Sequence, residues 1–188
     1  MGEEKGPEFY TGLGYLKNGG FEHNKKLYDT ALSLLPPYKE YSKIIELACG
    51  VGYFASLIRK HEYIGIDFSK KVLDAAQTIN PDKKFIHGNL LDTEIHKLYD
   101  NKSVYVCLEA LEHIRFDHKI LTKIPSNSPL IFSVPNRDFT SHVRFFTDKE
   151  EIIKRYESIL DFKDCIWKEI ITNPKKSAKV FMCRARRK

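Results

Sequence analysis

The stretch Ile44-Ile-Glu-Leu-Ala-Cys-Gly50-Val-Gly52-Tyr-Phe-Ala55 decides the fold, because a buried strand in it leads into a glycine turn and then a helical pattern. Gly50 and Gly52 carry no side chain that would keep a ligand away from the backbone, and a helix beyond them offers free N–H groups. Counted from Gly50, the letters match the GxGxxA form of a dinucleotide-binding turn. The stretch therefore predicts a ligand site at the end of the strand.

Two acidic residues near the turn narrow the kind of ligand. Asp67 ends the next strand-like run, where a carboxylate can hold ribose hydroxyls in more than one class of nucleotide site. Glu46 lies four residues before Gly50. A pyrophosphate would gain nothing from negative charge there, whereas a ligand with an ammonium and a sulfonium would be stabilised. The acids favour the second ligand and leave a NAD-dependent oxidoreductase as the alternative.

Strand-like apolar runs alternate with helical patterns on both sides of this stretch, which predicts a parallel sheet covered on both faces. The predicted strands are 43–48, 63–67, 84–87, 104–108 and 130–134, and the predicted helices are 24–35, 53–60, 69–79 and one opened by a capping box at Thr147-Asp-Lys-Glu150. Two last strands, 162–172 and 178–186, are joined too closely for a parallel crossover. The sequence predicts an α/β fold, a doubly wound, mostly parallel seven-stranded sheet with a C-terminal antiparallel hairpin.

Length and composition limit the class of protein. A chain of 188 residues suits one domain, and we expect residues 1–40 to form an N-terminal helical cap and residues 41–188 the core sheet. No run approaches the roughly 20 apolar residues of a membrane helix, and the first ten residues are too polar for a secretory signal, so we expect a cytoplasmic protein. The four cysteines lack the spacing of a zinc site and are expected to be reduced.

The net charge of +6 has two interpretations, an anionic partner such as nucleic acid or a solvated lysine-rich surface. Basic and acidic residues are interspersed along most of the chain, which favours the second. The exception is the C-terminal end, where the unbalanced basic residues are Lys175, Lys176, Lys179, Arg184, Arg186, Arg187 and Lys188. This end keeps a nucleic-acid partner open.

Four motifs in order resemble those of class I S-adenosylmethionine-dependent methyltransferases, from about Tyr10 to the C-terminus. They are Glu46-Leu-Ala48-Cys-Gly50-Val-Gly52, Tyr63-Ile-Gly-Ile-Asp67-Phe68-Ser, Phe85-Ile-His-Gly-Asn89-Leu90-Leu-Asp and Val106-Cys-Leu-Glu109-Ala-Leu-Glu112-His113-Ile. The first departs from the family pattern, since alanine stands where the first glycine is usual. The fourth looks like the EHI/EHL signature of the small-molecule branch, as does the strand ending Phe132-Ser-Val-Pro135-Asn136.

The resemblance implies a Rossmann-like fold and transfer of a methyl group from S-adenosylmethionine, with S-adenosylhomocysteine as product. It implies an O- or N-nucleophile of a small molecule as acceptor, with an RNA-directed enzyme or a non-catalytic methyltransferase-like subunit as alternatives. The implied cofactor-binding residues are Tyr10, Tyr15, Glu46, Ala48, Gly50, Gly52, Asp67, Phe68, Asn89, Leu90 and Glu109. The implied catalytic residues are Glu112, His113 and His142, of which either histidine is a candidate base, and Asn136 is a candidate acceptor contact.

One further resemblance concerns metal. Glu109-x-x-Glu112-His113 with the later His142 is similar to the metal-binding set of small-RNA 3′-terminal 2′-O-methyltransferases, which hold Mg²⁺ or Mn²⁺. The histidine-rich run expected after Asn136 is missing, and quinone-type methyltransferases share the ExxEH letters. We therefore expect no metal.

Overall fold

A seven-stranded sheet forms the centre of the computed structural model, which describes residues 2–11, 20–173, 175 and 177–188, without the side chains of residues 11 and 20–23. The strands are β1 (Lys43–Leu47), β2 (Glu62–Asp67), β3 (Lys84–His87), β4 (Ser103–Cys107), β5 (Pro129–Pro135), β6 (Leu160–Asn173) and β7 (Ala178–Arg187). Their order is β3-β2-β1-β4-β5-β7-β6. The first five are parallel, and β7 runs antiparallel to both β5 and β6. The predicted fold class and terminal hairpin are confirmed.

Helices and short turns connect these strands. The helices are α1 (Gly20–Ser33), α2 (Lys70–Ile79), α3 (Thr93–His96), α4 (Asp117–Leu121) and α5 (Lys149–Tyr156), and 3-10 turns span Phe9–Thr11, Ala55–Leu57 and Leu111–His113. The first helix starts earlier than the predicted residue 24 and packs Leu27 and Ala31 into the core. Among the described residues, no helix has the length and apolar character needed to cross a membrane.

The predicted helix at 53–60 is wrong. Only the 3-10 turn Ala55–Leu57 forms there, and Ile58 is already extended. The helix-like spacing of apolar residues arises because Phe54, Ala55 and Ile58 all pack into the core. The hydroxyl of Ser56 donates to the Tyr53 carbonyl at 2.7 Å, a local bond that competes with helical pairing. Burial along a single 3-10 turn, without a continued run of α-helical hydrogen bonds, thus produced the misleading pattern.

Two helix starts differ from the predicted capping in detail. Ser69 precedes α2 as expected, but its side chain makes no capping bond, and its N–H donates to Asp67 instead. At α5 the cap is Asp148, whose carboxylate accepts from the N–H of Glu151 at 2.9 Å, one residue later than the predicted box. The helix then ends at Tyr156, and Leu160, which continues the helical spacing of apolar residues Ile152, Ile153 and Tyr156, begins β6 instead.

The sheet separates two apolar clusters. One contains Tyr105, Phe132 and Tyr156, and the other includes α1. Three cysteines are buried and Cys165 is partly buried, all as free thiols. Trp167 is half-buried and stacks on Phe162 with ring centroids 5.9 Å apart, in agreement with a packing role.

The topology sets the place of the site. The strand order reverses direction between β1 and β4, and the loops after these parallel strands leave from the same edge of the sheet. Ligands of open α/β sheets bind in the crevice at such a switch point. At the other end of the order, β6 is an edge strand of 14 residues that pairs only with β7.

Candidate active site

The glycine turn after β1 has three residues in the left-handed region, Ala48 (φ 57°), Gly50 (φ 54°) and Gly52 (φ 73°). Ala48 adopts this conformation although it has a Cβ, which costs about 1 kcal/mol. An added Cβ on Gly50 would meet nothing within 4 Å, whereas one on Gly52 would lie 2.9 Å from the amide nitrogen of Asn80. Gly50 therefore faces open space that a ligand can enter, and Gly52 allows close packing.

Asp67, at the end of β2, is joined to this turn. Its carboxylate accepts from the N–H of Gly50 at 3.0 Å and from the N–H of Ser69 at 2.9 Å. Burial raises the pKa of Asp67, while these backbone donors act in the opposite direction. Each oxygen keeps a lone pair for a further donor. The carboxylate is thus held where it can accept from two adjacent hydroxyls.

Glu46 lies in β1, beneath the glycine turn, and accepts a short hydrogen bond from the hydroxyl of Tyr63. Burial raises the pKa of Glu46 to about 8, with a smaller contribution in the same direction from Asp67 and an opposing one from the Tyr63 bond. A nearby cation would favour the charged form. Sequence reasoning missed Tyr63 as the partner, although a tyrosine in an otherwise aliphatic buried strand was the available signal.

Aromatic rings connect the end of β2 to the turn after β4. The Tyr10 ring lies 5.7 Å from Phe68 and also 5.7 Å from His113, between centroids. Tyr15, predicted beside Tyr10, lies outside the described residues. After β3, Leu90 is buried and the exposed Asn89 accepts from the N–H of Leu91 at 2.9 Å through its side chain.

Glu109 follows β4 with a left-handed backbone (φ 48°). Its carboxylate accepts from the hydroxyl of Ser133 at 2.8 Å, and its own N–H donates to the same hydroxyl at 2.9 Å. Burial raises the pKa of Glu109 to about 7, against the effect of the Ser133 bond. Ser133 lies on β5 and was missed, although a polar residue in a fully buried strand was a usable signal.

The predicted catalytic residues come together. One ligand atom from each of Glu112, His113 and His142 lies within 4.8 Å of the others. Glu112 is 1% exposed, and its Oε1 is 3.7 Å from the Nε2 of His113. Burial, together with the nearby Glu109, raises the pKa of Glu112 well above its ordinary value.

Both imidazoles in this cluster are oriented by backbone carbonyls. The Nδ1 of His113 is 3.0 Å from the Ser141 oxygen, and the Nδ1 of His142 is 3.1 Å from the Arg137 oxygen. A carbonyl only accepts, so each Nδ1 carries the proton and each neutral ring keeps a lone pair on Nε2. Burial lowers the pKa of both histidines, which favours this neutral form.

Arg144 holds this cluster in place and was given no role by sequence reasoning. Its guanidinium donates to the carbonyls of Leu111 and Ile114 and lies 3.3 Å from the buried Asp117. The neighbouring Val143 N–H donates to the Glu112 carbonyl at 2.8 Å. The loop after β5 is therefore tied to the turn after β4, and a lone cation in the apolar run 143–146 was the signal.

The side chain of Asn136, a candidate acceptor contact, bonds to the terminal hairpin. Its side-chain nitrogen donates to the Ser177 carbonyl at 3.0 Å, and its oxygen accepts from the Lys179 N–H at 2.7 Å. Both ends of the amide are therefore used to join β5 to the terminal hairpin.

Several of the C-terminal basic residues are also engaged within the fold. Arg184 donates to the Leu34 carbonyl at 3.0 Å, and Arg186 donates to the Asn127 carbonyl at 2.8 Å. Lys179 pairs with Glu169 at 3.0 Å. These cations are thus partly neutralised or directed inward.

Comparison with known proteins agrees with this geometry. A family model described as a methyltransferase domain matches residues 39–172. The chain belongs to this methyltransferase family. The predicted enzyme class and S-adenosylmethionine as its cofactor are thereby confirmed, and the NAD-dependent alternative is wrong. A search of curated proteins finds no match to the methyltransferase.

Solved structures with the same fold include three described relatives of the methyltransferase. A Thermotoga maritima protein, described as a methyltransferase and possible histamine N-methyltransferase, has a TM-score of 0.65 at 16% identity, over 89% of this chain and 92% of that one. NodS, an N-methyltransferase of Bradyrhizobium japonicum in complex with S-adenosylhomocysteine, has a TM-score of 0.62 at 15% identity, over 88% of this chain and 87% of that one. Geranyl diphosphate C-methyltransferase of Streptomyces coelicolor has a TM-score of 0.63 at 10% identity, over 87% of this chain and 75% of that one.

The glycine turn and its neighbours fit S-adenosylmethionine. Gly50 leaves open space beside the backbone, and Asp67 presents two oxygens suited to ribose hydroxyls. Glu46 can supply a negative charge to a cationic ligand, because a bound cation favours the ionised form of this buried carboxyl group. The cofactor supplies an activated methyl group, so the protein must mainly orient the nucleophile and keep water away.

Proposed function

We propose that this methyltransferase transfers a methyl group to an oxygen or nitrogen nucleophile of a small molecule that binds against Glu112, His113 and His142. The observation that carries the proposal is the convergence of these three side chains at the carboxyl edge of β4 and β5. The Tyr10 ring touches both His113 and Phe68. An acceptor against His113 would therefore lie next to the proposed cofactor site.

The proposed cofactor-binding residues contact different parts of S-adenosylmethionine. Asp67 accepts from the ribose hydroxyls, Phe68 and Leu90 flank the adenine, and the amide of Asn89 contacts its edge. The open backbone at Gly50 admits the rest of the ligand, and Glu46 balances its positive charge. Ala48, Gly52 and Glu109 shape the two loops on either side of this ligand.

The reaction is an in-line displacement. The lone pair of the acceptor atom forms the bond to the methyl carbon, the carbon–sulfur bond breaks, and its electrons return to sulfur to give a neutral thioether. The acceptor loses one proton in the course of the reaction. The free Nε2 of His113 or His142 is the group proposed to take it, since both rings are neutral and oriented.

Two observations favour a small acceptor over RNA. The basic residues that could contact a phosphate backbone are partly engaged with protein carbonyls and Glu169. The relatives of known activity include NodS, an N-methyltransferase, and a geranyl diphosphate C-methyltransferase. Both described activities support a small-molecule acceptor for this chain.

The test is an acceptor screen that follows S-adenosylhomocysteine formation with phenols, carboxylates, amines and a structured RNA. With an accepted small molecule, His113→Ala and His142→Ala should each reduce kcat by at least about tenfold while leaving S-adenosylhomocysteine affinity unchanged. His61→Ala is the matched control, because His61 precedes β2 at the opposite edge of the sheet. Turnover of RNA alone, or unchanged rates in both variants, would refute the proposal.

A further inference from the structure

We propose that Glu112, His113 and His142 bind a divalent transition-metal cation, an inference that rests on the proposed function only for what the ion does to the acceptor. The three side chains come from two loops, and one ligand atom of each lies within 4.8 Å of the others. Two ligand atoms about 2.1 Å from one ion lie roughly 3.4 Å apart in a tetrahedral site. Side-chain adjustments of about 1 Å would therefore close the set.

The orientation of the two imidazoles is the first argument. Each ring donates from Nδ1 to a backbone carbonyl, that of Ser141 for His113 and that of Arg137 for His142. Metal-binding histidines are commonly held in this way, because the second-shell bond fixes the tautomer and leaves Nε2 to coordinate. The ring centroids are only 4.8 Å apart. One unprotonated Nε2 is enough for a general base. Two unprotonated Nε2 atoms on neighbouring rings are better suited to binding one cation together.

The buried carboxylate is the second, independent argument. Glu112 is 1% exposed, and among the described residues its Oε2 has no hydrogen-bond partner. A buried carboxylate oxygen without a donor costs stability unless something else satisfies it. The Oε1 of the same group lies 3.7 Å from the His113 Nε2, which carries no proton to donate. A cation between these atoms would satisfy both.

Neighbouring residues limit the set to three ligands. Glu109 lies close enough to raise the pKa of Glu112, but its Oε1 already accepts from the Ser133 hydroxyl at 2.8 Å. Arg144 donates to backbone carbonyls, and its nearest acid is Asp117 at 3.3 Å. The proposed site thus consists of two imidazoles and one carboxylate, with the remaining positions on the ion open to water or acceptor.

This ligand set selects the kind of ion. Imidazole nitrogen suits Zn²⁺, Co²⁺, Fe²⁺ and related ions, whereas Mg²⁺ and Ca²⁺ prefer oxygen ligands alone. Three protein ligands with an open position are typical of catalytic rather than structural metal sites. An acceptor oxygen at the open position would lose its proton more easily, because the ion stabilises the anion. With the ion bound, the acceptor's proton passes to solvent, and the two histidines act as ligands in place of the direct proton acceptors described under the proposed function.

The experiment uses the full chain without a histidine tag, stripped of metal and titrated with Co²⁺, whose visible absorption reports coordination by nitrogen. Glu112→Gln, His113→Asn and His142→Asn should each weaken Co²⁺ binding by at least about 100-fold. His61→Ala and Glu109→Gln are the controls and should bind within about twofold of the wild type. Zn²⁺ should displace Co²⁺ from the wild-type protein. Thermal melting of every variant establishes that it is folded.

The outcomes separate this inference from the proposed function. Co²⁺ binding by the wild type no tighter than by folded Glu112→Gln would overturn the metal site. Full turnover of a small acceptor by the stripped protein in the presence of a chelator would overturn the assigned role of the ion in the reaction and leave the histidines as direct proton acceptors. S-adenosylhomocysteine affinity, measured on the stripped protein, tests the cofactor site separately from both.

Discussion

The N–H of Gly50 donates directly to the carboxylate of Asp67 across 3.0 Å. The loop after β1 and the end of β2 are therefore joined without help from a ligand. Because Asp67 also accepts from Ser69, its two oxygens are aimed by backbone groups rather than by flexible side chains. A site organised in this way loses little conformational entropy when it binds.

Asp67→Ala should lower the affinity for S-adenosylhomocysteine by at least about 100-fold, equivalent to about 2.7 kcal/mol. The substitution removes the proposed ribose contacts and also releases the Gly50 amide. Isothermal calorimetry measures the change, with Asp74→Ala as the control, since Asp74 is an exposed acid of α2 paired with Lys70. Equal affinities for Asp67→Ala and the wild type would place the ribose elsewhere.

Alanine at the two glycines of the turn should affect different properties: Gly50→Ala mainly the affinity for the ligand, and Gly52→Ala mainly the free energy of unfolding. Gly50→Ala meets open space, so the protein should fold with a loss of about 1 kcal/mol from the left-handed backbone, yet bind S-adenosylhomocysteine poorly. Gly52→Ala places a Cβ 2.9 Å from Asn80 and should cost about 2–3 kcal/mol more in unfolding free energy. Urea denaturation and calorimetry separate the two quantities. A Gly50→Ala protein with normal affinity would contradict the assigned approach of the ligand.

Glu46→Gln should make the free energy of unfolding less dependent on pH. The folded-state pKa of Glu46 is raised to about 8 from an ordinary 4.5, so the folded protein retains a proton that the unfolded chain releases. Stability from this group is present at low pH and is lost as the pH rises from about 4.5 through 8. The glutamine variant should exceed the wild type by roughly 4–5 kcal/mol at pH 8.5 and differ from it by less than about 0.5 kcal/mol at pH 4.5.

Denaturant unfolding across this pH range measures the difference for Glu46→Gln. Glu62→Gln is the control, because Glu62 is exposed at the start of β2. Parallel curves for the wild type and Glu46→Gln would show that Glu46 is ionised in the folded state throughout.

Arg144→Met should lower the free energy of unfolding by about 2–3 kcal/mol, because it leaves the carbonyls of Leu111 and Ile114 without their donor. The proposed ribose and adenine contacts at Asp67, Phe68 and Leu90 lie at or after the ends of β2 and β3, so S-adenosylhomocysteine affinity should change little. Arg115→Met, at an exposed position, should stay within about 0.5 kcal/mol of the wild type. An Arg144→Met protein of wild-type stability would remove the proposed tie between the two loops.

The parallel sheet, its hairpin and the glycine turn were predictable because each leaves a local pattern. Apolar runs separated by helical spacing show buried parallel strands, and a linker too short for a crossover shows antiparallel pairing. The helix assigned to 53–60 failed because the same apolar spacing can come from a compact turn. Local periodicity reports which residues are buried, and only indirectly which hydrogen bonds they make.

The sequence predicted which residues lie in the candidate site better than it predicted their hydrogen-bond partners. Glu112, His113 and His142 follow neighbouring strands, so the topology brings them together. The pairing of Glu109 with Ser133, and the use of Asn136 by the hairpin, depend on side-chain choices across the sheet. Such choices are settled by the packed fold, and a single sequence carries little trace of them.

The length of β6 has a consequence for the behaviour of the protein at high concentration. An outer strand of 14 residues exposes a row of backbone donors and acceptors on which another chain could build. Exposed charges at Lys163, Asp164, Lys168 and Glu169, and the register shift between Asp161 and Ile166, make strand addition there unfavourable. Resistance to edge-to-edge aggregation therefore rests on side chains that take no part in the chemistry.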